Sequence, residues 1–310
     1  MDSGFRKTVR LICLIPALFS LSHLSAQAQN DADLDHVPFP VKYAHPHTTG
    51  ITMGMHMNPT GTLDAATKQR YLRSQELEDR GMKEFFLKRD DAAIISLNTA
   101  LTLRPNSENA YRWLAEVYAD KGQIDKAIAA YRHLFYGDRN RTKLNDIDRL
   151  NDYQTDPTLL MQFSLLLLQT NQYPEALAAY QQGIDCLSTA SVTRGELLPP
   201  REVPSDTSPQ SLEASVRTAL AISEISYRDN GDASSELEQA IRLRPGFGIA
   251  YFHKGELLKW EEGKESEALA AYRQAVQYDG VDVQPYLAAS FKDAPPHFIA
   301  AANREGLAAH

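Results

Sequence analysis

The chain has 310 residues, with 32 lysines and arginines against 40 aspartates and glutamates and a net charge of −8. This acidic balance argues against nucleic acid or anionic lipid as a partner, because both require a cationic footprint. The two cysteines, Cys13 and Cys186, give no disulfide framework, so stability has to come from packing.

Taken in chain order, residues 1–28 have the layout of a secretory signal. Arg6, Lys7 and Arg10 precede an apolar run from Leu11 to Leu24, and Ser25, Ala26, Gln27 and Ala28 come next with small residues in A-x-A spacing. Cleavage near Gln29 is expected, giving an exported, soluble product in a periplasmic or extracellular space. The run is too short and too interrupted to cross a bilayer, and no second run of spanning length comes after it. Cys13 leaves with the signal. Removing the segment's three basic residues and one acidic residue leaves 29 basic against 39 acidic residues.

Residues 29–62 read as an extended segment rich in histidine and methionine. Imidazole suits copper or zinc and thioether sulfur suits Cu(I), so His45, His47, Met53, Met55, His56 and Met57 are a candidate copper site, with His36 nearby. Methionines at alternate positions also describe one face of a segment laid against apolar helices, where Met is an adaptable filler. Both readings stand on the sequence.

A repeat organises the chain from Ser74 onward. Aligning the segment from Ser74 with that from Glu108, a shift of 34 residues, sets Ala93 on Ala127 and Leu97 on Tyr131, with Pro105 at the boundary. The second unit carries Tyr111, Leu114, Ala115, Tyr118, Ala127 and Tyr131. The first carries Leu77, Gly81, Ala93, Leu97 and Ala100, with Arg80 and Glu84 out of pattern. A third starts at Pro157 (Leu160, Phe163, Ser164, Leu167, Ala176, Tyr180, Gly183) and a fourth at Ala214 (Leu220, Ala221, Ala233, Leu237, Ala240), with Arg217 and Glu224 as mismatches. A fifth starts at Gly248 (Tyr251, Gly255, Leu258, Ala268, Tyr272, Ala275). Small residues let two helices approach closely, and the aromatic residues fill the gap to the next pair. Turns are expected at Lys121-Gly122, Asn230-Gly231 and Glu262-Gly263, where first helices stop. Arg104-Pro105 and Arg244-Pro245 should end second helices, and Asp156 and Ser208 should be N-caps before proline.

The period and these residues resemble the tetratricopeptide repeat. The resemblance implies an all-α, right-handed α-solenoid of about five helix pairs, with an irregular N-terminal extension and short C-terminal capping helices. Repeats 1–2 take residues 63–136, an insert 137–156, repeat 3 residues 157–187, a proline-containing linker 188–208, repeats 4–5 residues 209–280 and the cap 281–310. In the insert, Leu144, Ile147, Leu150 and Tyr153 suit a short extra helix, and Arg139, Arg141 and Lys143 suit a solvated turn. Repeats 4–5 should dock on the preceding ones, since two units alone bury too little surface. Segments Pro285 to Phe291 and Pro296 to Gly306 read as the capping helices.

The resemblance also implies a ligand groove lined by the first helix of each pair. Its positions carry Gln75, Glu78, Met82 and Phe85; Asn109, Arg112, Glu116 and Ala119; Thr158, Met161, Leu165 and Leu168; Ser215, Thr218, Ile222 and Ile225; and Ile249, Phe252, Glu256 and Lys259. Asn109, Arg112, Glu116, Met161, Leu165, Leu168, Phe252 and Glu256 are the leading candidates to hold a protein or peptide partner. Leu165, Leu168, Ile222 and Ile225 are equally open to being covered by the protein's own extension or inserts. The case for an enzyme is thin. Cys186 reads as a buried small residue, and His133, His253 and His297 fall in separate segments with no hydrolytic spacing, so no catalytic residue and no resident cofactor are expected.

Overall fold

In a computed structural model the described residues are 64–137, 156–194, 208–226, 230–292 and 294–304. The signal segment, the His/Met extension and the insert helix lie outside them. Among the described residues every regular element is an α-helix, and the chain divides into two compact units, residues 1–154 and 155–310.

The described residues of the first unit form two helix hairpins, α1 (Ala65–Phe86) with α2 (Asp90–Leu103) and α3 (Glu108–Asp120) with α4 (Ile124–Tyr136). The start of α1 is fixed by Asp64, whose carboxylate accepts from the Thr67 amide at 2.9 Å and the Thr67 hydroxyl at 2.6 Å. Ser107 caps α3 in the same way. The tight turn after α3 is made by Gly122 at φ +70°, a conformation glycine adopts without a steric penalty. Inside the first hairpin, Gly81 permits the close crossing: a Cβ there would sit 2.6 Å from Leu97 Cγ. Ala93, Leu97 and Ala100 are fully buried beside it. Phe85 and Phe86 reach across to Trp113 of the second hairpin, with ring centroids 6.3 and 5.5 Å away.

The second unit contains α5 (Pro157–Gln169), α6 (Tyr173–Arg194), α7 (Pro209–Ser226), α8 (Asn230–Leu243), α9 (Gly248–Leu258), α10 (Glu265–Lys292) and α11 (Pro296–Arg304). Asp156 caps α5 through the amides of Thr158 and Leu159, and Ser208 caps α7 through the Ser211 amide. Gly263 closes the α9–α10 turn at φ +87°. Successive hairpins lie side by side as in an α-solenoid, α5 with α6, α7 with α8 and α9 with the first half of α10. The fourth pair docks on the third mainly through α7 against α5, tied by a 2.6 Å bond between the Thr158 and Ser223 hydroxyls. Because α5 is covered by α6 on one side and α7 on another, nearly all of its residues are buried, as expected of a helix apolar all round.

Three local expectations are corrected. Helix α6 runs on to Arg194, past the Ser188 at which the linker was expected to begin. Residues Asn230 and Gly231 open α8 rather than ending the helix before it. The first capping helix does not begin at Pro285, because α10 continues to Lys292 with a single break at Asp279 (φ −130°, ψ 43°). The break has a purpose: Asp279 Oδ2 accepts from the Ile249 amide at 3.2 Å, supplying the cap that Phe247 cannot give to α9. Gly248 makes room for it, since a Cβ there would lie 2.7 Å from that same oxygen. The rest of α10 and α11 then close the last pair, with Val283, Phe298, Ala301 and Ala302 packed on Phe252, Leu258, Leu269 and Tyr272.

Candidate functional site

The first-helix positions expected to line a groove divide into two sets. In the first unit Gln75, Met82, Asn109, Glu116 and Ala119 are half-buried and reach solvent, whereas Glu78, Phe85 and Arg112 are buried. Glu78 is consumed internally, accepting from Ser74 Oγ (2.9 Å), Ser107 Oγ (2.7 Å) and Asn109 Nδ2 (3.1 Å), which ties the two hairpins together. Arg112 lies with its guanidinium 4.3 Å from the Trp113 ring centroid.

In the second unit the corresponding side chains are mostly inside. Thr158, Met161, Leu165, Leu168, Ser215, Thr218, Ile222, Phe252 and Lys259 are buried, and Ile225, Ile249 and Glu256 are half-buried. Phe252 belongs to the core under the cap. Of these positions, five reach solvent on α1 and α3, and in the second unit Ile225, Ile249 and Glu256 do so in part.

The strongest electrostatics lie in clusters that the repeat pattern gave no reason to expect. Arg80, Glu84, Arg217 and Glu224 interrupt that pattern, and three of them make ion pairs: exposed Arg80 with buried Glu84, and Arg217 in a pair buried on both sides. Glu84 takes Arg80 Nε at 2.9 Å and Ser96 Oγ at 2.7 Å. Arg217 donates to Glu236 at 2.7 Å and, through Nε and a terminal nitrogen, to Glu213 at 3.0 and 2.8 Å. Arg217 and Glu236 are both buried; leaving water raises the Glu236 carboxyl above its ordinary range even though the Arg217 guanidinium pulls it down, so each charge depends on the other to be tolerated there. The i, i+4 spacing of Arg80 with Glu84 and of Glu213 with Arg217 was the available signal.

A third cluster fastens the cap to the fifth pair. Lys259 Nζ donates to Glu256 at 2.8 Å, to the Ser290 carbonyl at 3.2 Å and to Ser290 Oγ at 2.9 Å. Tyr272 donates to Glu256 at 2.6 Å, and the Ser290 hydroxyl donates to the same carboxylate. Burial alone would raise Glu256, but the Lys259 ammonium and the Ser290 and Tyr272 hydroxyls outweigh it and hold the carboxyl below its ordinary range. One helical turn back, His253 is enclosed, its Nε2 has no hydrogen-bond partner among the described residues, and burial pushes it down to about 4.

Chemically these clusters are fasteners. His133 stacks on Tyr111 at 4.6 Å, His253 is sealed in α9, and His297 on α11 stands 4.0 Å from Glu265, so the three do not converge. Cys186 is half-buried on α6 rather than buried. Among the described residues no group of three His, Cys, Asp or Glu side chains is placed to hold a metal ion. The candidate copper residues His45, His47, Met53, Met55, His56 and Met57 lie outside those residues. Among the described residues, too, no helix is long and apolar enough to cross a membrane.

The tetratricopeptide repeat family model matches residues 86–134 and 218–291, one stretch in each unit. No curated protein matches the chain. Among solved structures, a crystal structure of MamA is 18% identical, covering 66% of this chain and 96% of its own, with a TM-score of 0.33. PilF of Pseudomonas aeruginosa is also 18% identical, covering 72% and 82%, with a TM-score of 0.33. The Cut9–Hcn1 hetero-tetramer of the APC/C is 14% identical, covering 69% of this chain and 43% of its own, with a TM-score of 0.24.

Proposed function

We propose that this chain, with tetratricopeptide repeats in both of its units, is an exported, non-catalytic scaffold that holds a protein or peptide partner along the first helices of its hairpins. The carrying observation is the match of the repeat family to residues 86–134 and 218–291, on hairpins whose small residues are buried in the crossings. Paired helices of this kind spend their apolar faces on one another and keep one surface for a guest. In the first unit the accessible part of that surface is Gln75, Met82, Asn109, Glu116 and Ala119. The signal-like first 28 residues support export.

The test is a pair of substitutions that change this surface without entering the core, Met82→Glu with Ala119→Arg. Tagged protein from the native host should lose its captured partner while its circular dichroism and thermal midpoint stay as in the parent. Unchanged capture by the folded variant removes the assignment. Arg112 and Phe252 are unsuited to this test, because both are buried and truncating them attacks the fold.

A further inference from the structure

The chain has two tryptophans, and they are treated in opposite ways. Trp113 is 2% exposed, whereas Trp260, in the turn between α9 and α10, is 59% exposed. Its position is built. Lys259 Nζ lies 5.6 Å from the Trp260 ring centroid, and that ammonium is itself held by Glu256 and by two oxygens of Ser290. One face of the indole is thereby set against an anchored cation, while most of the ring stays in water.

The turn around it is acidic and unbalanced. Lys264 is taken by Glu267 at 2.6 Å, and Glu265 accepts from the Gly263 amide at 3.1 Å and faces His297. Glu261 and Glu262 are exposed, and of the two only Glu261 is close enough to a cation, Lys264, to act on it. Space is available too, since a Cβ on Gly263 would meet nothing within 4 Å.

We propose that the turn Trp260 to Lys264 is a docking point for an arginine side chain in a basic segment of a partner protein. A guanidinium stacks flat on an indole and forks to a carboxylate, so one arginine is suited both to the open ring and to an exposed glutamate of the turn. Lysine can offer only a point charge. This surface is separate from the first-helix face of α1 and α3, and the two can fail independently.

The experiment is calorimetric titration of the full chain at low salt with a synthetic peptide alternating arginine and glycine. Lysine–glycine and glutamate–glycine peptides serve as comparisons. The arginine peptide should bind more tightly than the lysine peptide, and the glutamate peptide should not bind. Trp260→Ala should weaken the arginine peptide about tenfold or more, as for an aromatic hot spot, while Trp260→Phe retains part of the affinity. Glu261→Gln with Glu262→Gln should weaken it several-fold and flatten its salt dependence. The Met82→Glu, Ala119→Arg variant should bind the peptide as the parent does, which separates this site from the groove. Equal affinity in Trp260→Ala and parent, equal binding of the glutamate peptide, or no binding of the arginine peptide overturns the proposal.

Discussion

His253 should make the second unit acid-sensitive. Its ring is enclosed in α9 with no hydrogen-bond partner for Nε2 among the described residues, and burial lowers it from the ordinary 6.5 to about 4, against a smaller pull upward from Glu256. The folded state therefore binds the proton less readily than the unfolded chain, so stability is intact above about pH 6.5 and falls as pH drops from there towards 4. Linkage over that shift costs about 2 kcal/mol between pH 7 and pH 5, rising to roughly 3 kcal/mol near pH 4. Glu256 leaves this window clear. Held below its ordinary 4.5, it gives stability that is complete above that value and lost only on further acidification. The assay is urea unfolding followed by Trp260 fluorescence in a Trp113→Phe background, at half-unit steps from pH 7 to pH 5, for the parent and for His253→Leu. The parent should lose about 2 kcal/mol more than the variant across the range. Parallel curves would refute the reasoning, because they would mean that the ring takes its proton as readily folded as unfolded.

The buried pair of Arg217 and Glu236 gives a second test. Glu236→Gln leaves a guanidinium in the core with only Glu213 to answer it and should cost about 3 kcal/mol in urea unfolding. The double change Arg217→Met, Glu236→Leu removes both charges and should cost less than that single one; a double variant as unstable as the sum of its parts contradicts the pairing. At Gly255 a Cβ would lie 2.8 Å from Tyr272 Cε1, on a ring pinned by its bond to Glu256. Gly255→Ala should therefore cost about 1–3 kcal/mol. Gly280→Ala, whose Cβ would come no nearer than 3.7 Å to Val276 Cγ1, should be neutral. Equal thermal midpoints for the two would show that the close crossing is not as tight as described.

The hairpins were legible because close crossings demand the same residue types every 34 positions. Gly81, Ala93, Leu97, Ala115 and Ala127 recur for that reason, and all sit buried. Caps were legible because they are local: Asp156 and Ser208 act on amides two or three residues away. What escaped depends on partners distant in sequence. Arg217 looked like an error in a repeat until Glu236 was placed beside it on α8. The break at Asp279 answers an amide thirty residues earlier, which no local rule anticipates. The first-helix face was the hardest part. A repeat position says which side a residue takes, but not that α5 receives α7 as well as α6, which puts Met161 and Leu165 inside.

The central claim is that the first helices of these hairpins hold a protein guest. Hydrogen exchange of the chain, alone and with a protein captured by the tagged chain from its native host, tests this most directly. Slower exchange across residues 65–86 and 108–120, with α2 and α4 unchanged, is the predicted result. Protection confined to α2 and α4, or none on any hairpin, would contradict it.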